Sequence, residues 1–228
     1  MQKAVIFDLF GTLCKPTDPE AKILEEFRLS NDKYDVLERV VCGHKFVDWM
    51  EYLDKLIQVI GCEDNVKTRR RIIDIINEEK KKADVFPETK NVLEQLFRGG
   101  YKIGLISNAY PVCRSILEGA DILGYFSNDG IFLSYEKGIT KQDPKIFKMC
   151  LEELEVSARD AIMVGDSLRS DIKSSYDATN GEIGGILISE KPDEKAIGYV
   201  QSSKRIIVPS LKNVPEAVNK YFSQRHGN

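Results

Sequence analysis

The sequence predicts an α/β fold, a parallel sheet with helices on both faces, and three features of the chain predict it. Short, nearly continuous apolar runs at 4–7, 103–106, 130–134, 161–164 and 185–188 alternate with stretches whose apolar residues recur at helical spacing. That alternation is the pattern of successive βαβ units, whose strands run parallel. The runs are apolar at consecutive positions, which suits strands covered on both faces. Three of the runs also end on polar residues: Asp8 after Ala4-Val5-Ile6-Phe7, Ser107-Asn108 after Ile103–Ile106, and Asp166 after Ala161–Val164 and Gly165.

The first strand closes on Asp8-Leu9-Phe10-Gly11-Thr12-Leu13, and Lys15-Pro16-Thr17-Asp18-Pro19 then changes the pattern, since two prolines resist regular structure. From about Ala21 to Ala83 the spacing is helical, clearest in the stripe Phe46, Trp49, Met50, Leu53, Leu56, Ile57 and Ile60. Flanking stretches around Val36-Leu37-Val40-Val41 and Ile72-Ile73-Ile76 complete a unit of about four helices. Arg69-Arg70-Arg71 and Lys80-Lys81-Lys82 are interleaved with Asp74, Glu78, Glu79 and Asp84, which is the pattern of a solvated helix surface rather than of a phosphate or RNA site.

Pro87 opens a helix carrying Val92, Leu93, Leu96 and Phe97, stopped by Gly99-Gly100. A strand, a helix over about 111–123 and a further strand at 130–134 follow, then a loop, Gly138-Ile139-Thr140-Lys141. Asp143-Pro144 reads as the cap and first turn of a helix that buries Ile146, Phe147, Cys150, Leu151 and Leu154. Strands at 161–164, 185–188 and 205–208 complete a Rossmann-like sheet, and the terminal His226-Gly227-Asn228 is expected to fray. The expected division is a core of 1–14 and 86–228 with a helical domain of 15–85 inserted in it.

With 228 residues, 42% of them hydrophobic and 30% charged, the chain has the balance of a soluble globular protein with a sizeable core. A net charge of −3 argues against nucleic acid or an anionic membrane as its main partner. No apolar stretch approaches the roughly 20 residues that span a bilayer, and Met1-Gln2-Lys3 leads directly into a core strand, so a cytoplasmic location is expected. Five scattered cysteines without a C-x-x-C pair suggest neither a disulfide framework nor a zinc site, and Cys14 reads as a small buried residue.

In a parallel sheet all strands point one way, so Asp8, Ser107 and Asp166 fall on one edge, within reach of the Lys141 loop. One acid at a strand end is explained equally well as a turn former. Two acids, a hydroxyl and a lysine at equivalent ends are not. Asp8 and Asp166 offer the hard oxygen ligands that suit Mg²⁺ and a substrate phosphate. A carboxylate can attack phosphorus, Ser107 and nearby backbone N–H groups can donate to phosphate oxygens, and Lys141 adds a compact positive charge. Asp171 is open to two readings, a second metal ligand or the cap of the following helix.

The order DLFGTL, LISN, GITKQDPKIF and VGDSLRSD resembles the four motifs of the haloacid dehalogenase-like (HAD) hydrolase superfamily, over roughly residues 1–190. The resemblance implies Asp8 as nucleophile, Ser107 and Lys141 as binders of the phosphoryl group, and Asp166 with Asp171 as Mg²⁺ ligands, joined by the backbone carbonyl of Phe10. Thr12 and Asn108, beside these residues in the motifs, are further candidate phosphate binders. The segment 15–85 resembles the family's cap, which closes over the site and selects a small phosphorylated substrate.

One position departs from that pattern. Phosphatases of the family carry a second Asp two residues after the nucleophile, where this chain has Phe10. A general acid or base contributes about 10²–10⁴-fold in rate, and its loss weighs most on poor leaving groups. A Mg²⁺-dependent phosphatase that lacks this acid or recruits another is therefore the leading expectation. A 2-haloacid dehalogenase is the alternative, because halide leaves without a proton; a low-turnover binding or regulatory protein is the other. His44, able to titrate near neutral pH, is weighed as a substitute acid against a surface role, and Lys45 as a Schiff-base lysine against a surface charge.

Overall fold

The computed structural model describes residues 2–127, 129–203 and 205–225. Among them six strands form one parallel sheet: β1 (Ala4–Phe7), β2 (Lys102–Ser107), β3 (Ile131–Leu133), β4 (Ala161–Gly165), β5 (Gly184–Ile188) and β6 (Ile206–Val208), in the spatial order β3-β2-β1-β4-β5-β6. The order reverses between β1 and β4, and ligands in open α/β sheets bind in the crevice at such a switch point. The expected α/β, Rossmann-like sheet is therefore present, with strands that stay within a residue or two of the apolar runs. The terminal 226–228 lie outside the described residues.

Alternate residues of β1 serve opposite faces, as a pleated strand requires. Val5 and Phe7 join a core with Leu93, Leu105, Ile162 and Phe222, while Ala4 and Ile6 join a second with Ile106, Phe132, Phe147 and Met163. Both cores are closed to solvent, which is why the strand is apolar at every position.

Between β1 and the following sheet helix lie α1 (Pro19–Glu26), α2 (Tyr34–Cys42), α3 (Trp49–Ile60) and α4 (Val66–Lys82). Three of them, α1, α3 and α4, start on ordinary caps: Asp18 accepts from Ala21 N–H at 2.8 Å, Asp48 from Glu51 N–H at 2.9 Å and Asn65 from Thr68 N–H at 2.9 Å. Gly61, at φ +71°, ends α3 in the left-handed conformation that glycine adopts without strain. Leu53, Leu56, Ile57 and Ile60 of the expected stripe are buried, but Met50 is exposed, as is Phe97 further along. Both sit one step off the buried arc of their helices, where apolar character alone does not decide the facing.

The chain leaves and re-enters the sheet layer side by side. Lys15 N–H donates to the Asp84 carbonyl at 2.9 Å and Phe86 N–H to the Leu13 carbonyl at 3.0 Å. Apolar contact nevertheless runs without a break from the sheet into the helices, since Leu37, Leu56 and Ile76 share a cluster with Val5 and Phe7. Arg69 pairs with Asp54 and Asp64, and Arg71 with Glu26, so these members of the basic runs are committed on the helical surface.

The rest of the layer is α5 (Thr89–Arg98), α6 (Cys113–Gly119), α7 (Ser134–Lys137), α8 (Lys145–Glu153), α9 (Ser174–Ala178), α10 (Glu194–Ser203) and α11 (Val214–Arg225). A π-helical turn, Leu168–Lys173, leads into α9. The five cysteines are unpaired, with Cys14 buried. No helix among the described residues is long and apolar enough to cross a membrane.

Candidate active site

Asp8 follows β1 directly, and its N–H is held by the Val164 carbonyl of β4 at 2.9 Å, which fixes the acid at the switch point. Ser107 is the last residue of β2, and Asp166 follows the last residue of β4. The structure thus brings together every strand-end residue expected from the sequence.

Lys141 reaches the same edge from the loop before α8 and is 3% exposed. Its Nζ donates to Asp171 Oδ1 at 2.6 Å and, at very short range, to Asp8 Oδ1. Its backbone is placed by Asn108, whose Oδ1 accepts from Lys141 N–H at 2.8 Å. Asp171 is held from a second side by Ser167 N–H at 2.9 Å on its Oδ2. That bond joins the residue before the π-helical turn to one inside it. The Asp171 side chain pairs with Lys141 and stands beside the other two acids of the site.

One oxygen each of Asp8, Asp166 and Asp171 lie within 4.8 Å of one another. Two glycines make this approach possible. A Cβ on Gly11, already at φ +79°, would stand 2.6 Å from Asp166 Cγ, and a Cβ on Gly165 would stand 2.6 Å from Asp171 Cβ. No real Cβ tolerates such contacts, so both motif glycines leave space for a carboxylate.

The electrostatics match the crowding. Burial pushes the Asp8 carboxyl well above its ordinary range; Lys141 opposes the shift, while Asp171 and Asp166 add to it. Asp166 is at the solvent side of the cluster, yet the atoms packed around it and the charge of Asp171 also raise it. Burial by itself would lower Lys141, but Asp171 and Asp8 outweigh it and hold the ammonium above its usual range. Three carboxylates face one lysine. The surplus of hard oxygen and negative charge fits a small divalent cation such as Mg²⁺.

The acids open into a cavity of about 160 Å³, also lined by Phe10, Ser107, Asn108 and Glu38. Phe10 is half-buried with its ring parallel to Tyr110 at 5.9 Å. Thr12 lies beneath, its fully buried hydroxyl without a partner in hydrogen-bond geometry although near enough to favour the Asp166 carboxylate. His44 is elsewhere: it lies 3.6 Å from Glu51 and lines a separate surface pocket with Glu51, Asp54 and Lys55. Lys45 is exposed, and its backbone packs against the Gly138 turn.

Glu38, on α2, joins the site without any signal in the sequence. Its Oε1 accepts from Asn108 Nδ2 at 3.5 Å, and the same amide group donates to Gln142 Oε1 at 3.3 Å. A single glutamate among the surface charges of a helix carries no motif, so only the docking of α2 over the sheet edge could reveal it.

Comparison with known proteins agrees with this arrangement. A sequence profile described as haloacid dehalogenase-like hydrolase matches residues 2–175. A phosphoserine phosphatase of Thermus thermophilus is 31% identical over 107 residues, 46% of this chain and 42% of that protein, so the chain spans less than half of that relative's length. A glyceraldehyde 3-phosphate phosphatase of Methanothermobacter thermautotrophicus is 26% identical over 216 residues, covering 89% of this chain and 92% of that one. Among solved structures, a 2-haloacid dehalogenase from Pseudomonas syringae superposes with a TM-score of 0.65 at 18% identity over 97% of this chain and all of that one, a likeness of fold. With the profile covering most of the chain and the four motifs gathered at one sheet edge, the protein belongs to the haloacid dehalogenase-like hydrolase family.

Proposed function

We propose that this hydrolase is a Mg²⁺-dependent phosphatase of small phosphorylated metabolites, acting through an aspartyl-phosphate on Asp8. The observation that carries the reading is the gathering of Asp8, Asp166 and Asp171 within 4.8 Å around Lys141. A dehalogenase gains nothing from two further acids prepared for a metal, whereas phosphoryl transfer needs charge neutralised beside a carboxylate nucleophile. The relatives named for phosphoserine and glyceraldehyde 3-phosphate support the same substrate class.

In this reading Asp8, Asp166, Asp171 and the Phe10 carbonyl hold Mg²⁺, which supplies the positive charge that lets a phosphate approach the acids. Asp8 attacks phosphorus. Ser107 and Asn108 donate to the phosphoryl oxygens, Lys141 holds Asp8 in place and offsets the incoming charge, and Thr12 supports the Asp166 side of the site. The helical segment 15–85 acts as a cap on the core of 1–14 and 86–228, moving about the two connecting segments that are hydrogen-bonded at Lys15–Asp84 and Leu13–Phe86.

The dehalogenase reading is favoured by one feature, the Phe10 ring on the cavity wall. Purified protein with Mg²⁺ and p-nitrophenyl phosphate separates the two. Turnover lost with EDTA and with Asp8→Asn is the expected result; metal-independent halide release from 2-chloropropionate, without phosphate release, would overturn it.

A further inference from the structure

We infer that Glu38 is the general acid and base of this site, supplied by the inserted helices where the loop after the nucleophile offers only Phe10. The inference rests on the phosphatase reading and deepens it, assigning the substrates as phosphate monoesters of alcohols.

A leaving group has to lie outside the space that the phosphoryl group fills. The cavity holding Asp8 has about 160 Å³ of room, enough for a phosphoryl group. Beside it is a larger cleft of about 620 Å³, bordered by Arg39, Thr140, Asp143 and Arg169. Three side chains line both spaces: Glu38, Gln142 and Ser170. A monoester with its phosphorus at Asp8 and its organic part in the cleft places its bridging oxygen at that boundary. Of the three, only the carboxyl is a group that can give up a proton to a leaving oxygen and later take one from water.

The other acids on the small cavity are committed. Asp8 is the nucleophile in this reading, Asp171 is bound by Lys141 and Ser167 N–H, and Asp166 completes the cation set. Glu38 is the cavity's carboxyl outside the cation set, and its hydrogen bond is to a neutral group, the Asn108 amide. That bond also places it, because Asn108 follows the end of β2 and positions the Lys141 backbone. Buried Glu20 and Glu79 lie on α1 and α4 and do not line this cavity.

In the first step an Asp8 oxygen forms a bond to phosphorus while the bond from phosphorus to the alcohol oxygen breaks, its electron pair staying on that oxygen. The proton of Glu38 passes to the same oxygen and the alcohol departs, leaving Glu38 as carboxylate. Glu38 then takes a proton from a water whose oxygen attacks phosphorus. The bond between phosphorus and Asp8 breaks, the pair returns to Asp8, inorganic phosphate is released and Glu38 is again protonated.

The test compares p-nitrophenyl phosphate, whose phenolate leaves without help, with O-phosphoserine or glycerol 3-phosphate, whose alkoxides need a proton. kcat/KM reports steps up to the first irreversible one, the transfer to Asp8. Glu38→Gln, which keeps an oxygen for Asn108, is expected to raise the ratio of kcat/KM for the aryl ester over that for the alkyl ester by about 10²–10⁴. The aryl ester measured on the same preparation accounts for any general loss of folded enzyme. An equal effect on both esters overturns the inference and leaves the phosphatase standing. Wild-type protein inert toward both overturns the phosphatase reading and this one with it.

Discussion

The side chain of Asp171 occupies the space in which a side chain on Gly165 would have to stand, a Cβ there falling 2.6 Å from Asp171 Cβ. By strand propensity alone, alanine inside β4 would be an improvement. Asp171 has no room to yield, because Lys141 and Ser167 N–H hold its two oxygens. Gly165→Ala is therefore expected to cost about 1–3 kcal/mol by urea unfolding, with turnover falling by at least about 10². Unchanged stability would show that the acid can move aside.

Lys141 is buried between two acids, so removing it leaves both without compensation. Lys141→Ala is expected to destabilise the metal-free protein by about 3–5 kcal/mol. Chemical unfolding checks the figure, and a loss below about 1 kcal/mol would mean that solvent already reaches the pair.

A cation at the three carboxylates stabilises the folded chain by mass action, about 2.7 kcal/mol at a concentration one hundred times Kd. In a protein of this size that is a rise of roughly 5–10 °C in Tm. Thermal unfolding with and without Mg²⁺ measures it. Asp166→Asn is expected to abolish the rise, and a rise that survives the substitution would place the ion elsewhere.

Glu20 supplies a pH dependence away from the site. It is 7% exposed, and burial pushes its carboxyl from 4.5 up to about 8, against its own backbone hydrogen bond and with Asp18, Glu38 and Glu79 adding to the rise. The folded state therefore binds a proton that the unfolded state has released. Stability from this group is complete below about pH 4.5 and is lost as pH rises through about 8, at no more than about 1.4 kcal/mol per pH unit. Glu20→Gln removes that slope, so the variant is expected to gain on the wild type by about 2–4 kcal/mol between pH 5 and pH 8. Parallel unfolding profiles would exclude a proton on Glu20.

Phe10→Asp puts a second acid on the wall of the cavity that Glu38 lines. In the Glu38→Gln background it is expected to restore at least about tenfold of the alkyl-ester kcat/KM, within the range of one general acid. The loss of the stacked contact with Tyr110 costs about 1 kcal/mol in stability. No recovery in a folded double variant would show that an acid at position 10 cannot reach the leaving oxygen.

Asp8, Ser107, Asp166 and Lys141 are legible in the sequence because each sits at a strand end or in a loop whose place follows from a parallel sheet. The glycines of the first and fourth motifs are legible as turn residues, but their second role, leaving room for Asp166 and Asp171, needs the two loops to be packed against each other. His44 attracts attention for its chemistry, yet it follows the end of α2 on the solvent side and meets Glu51. Met50 and Phe97 face solvent against expectation because hydrophobicity in a helix narrows the facing to an arc and not to a residue.

The sequence by itself determined the α/β alternation, the polar strand ends and the departure at Phe10, all of which depend on residues close together in the chain. Only the tertiary structure decided the strand order β3-β2-β1-β4-β5-β6, the commitment of Lys141 to both Asp8 and Asp171, and the entry of Glu38 into the site. These depend on contacts across 30 to 133 positions of chain, set by how α2 and the Lys141 loop pack on the sheet edge. Local periodicity carries no record of such packing, because it reports which face of an element is buried and not which element buries it.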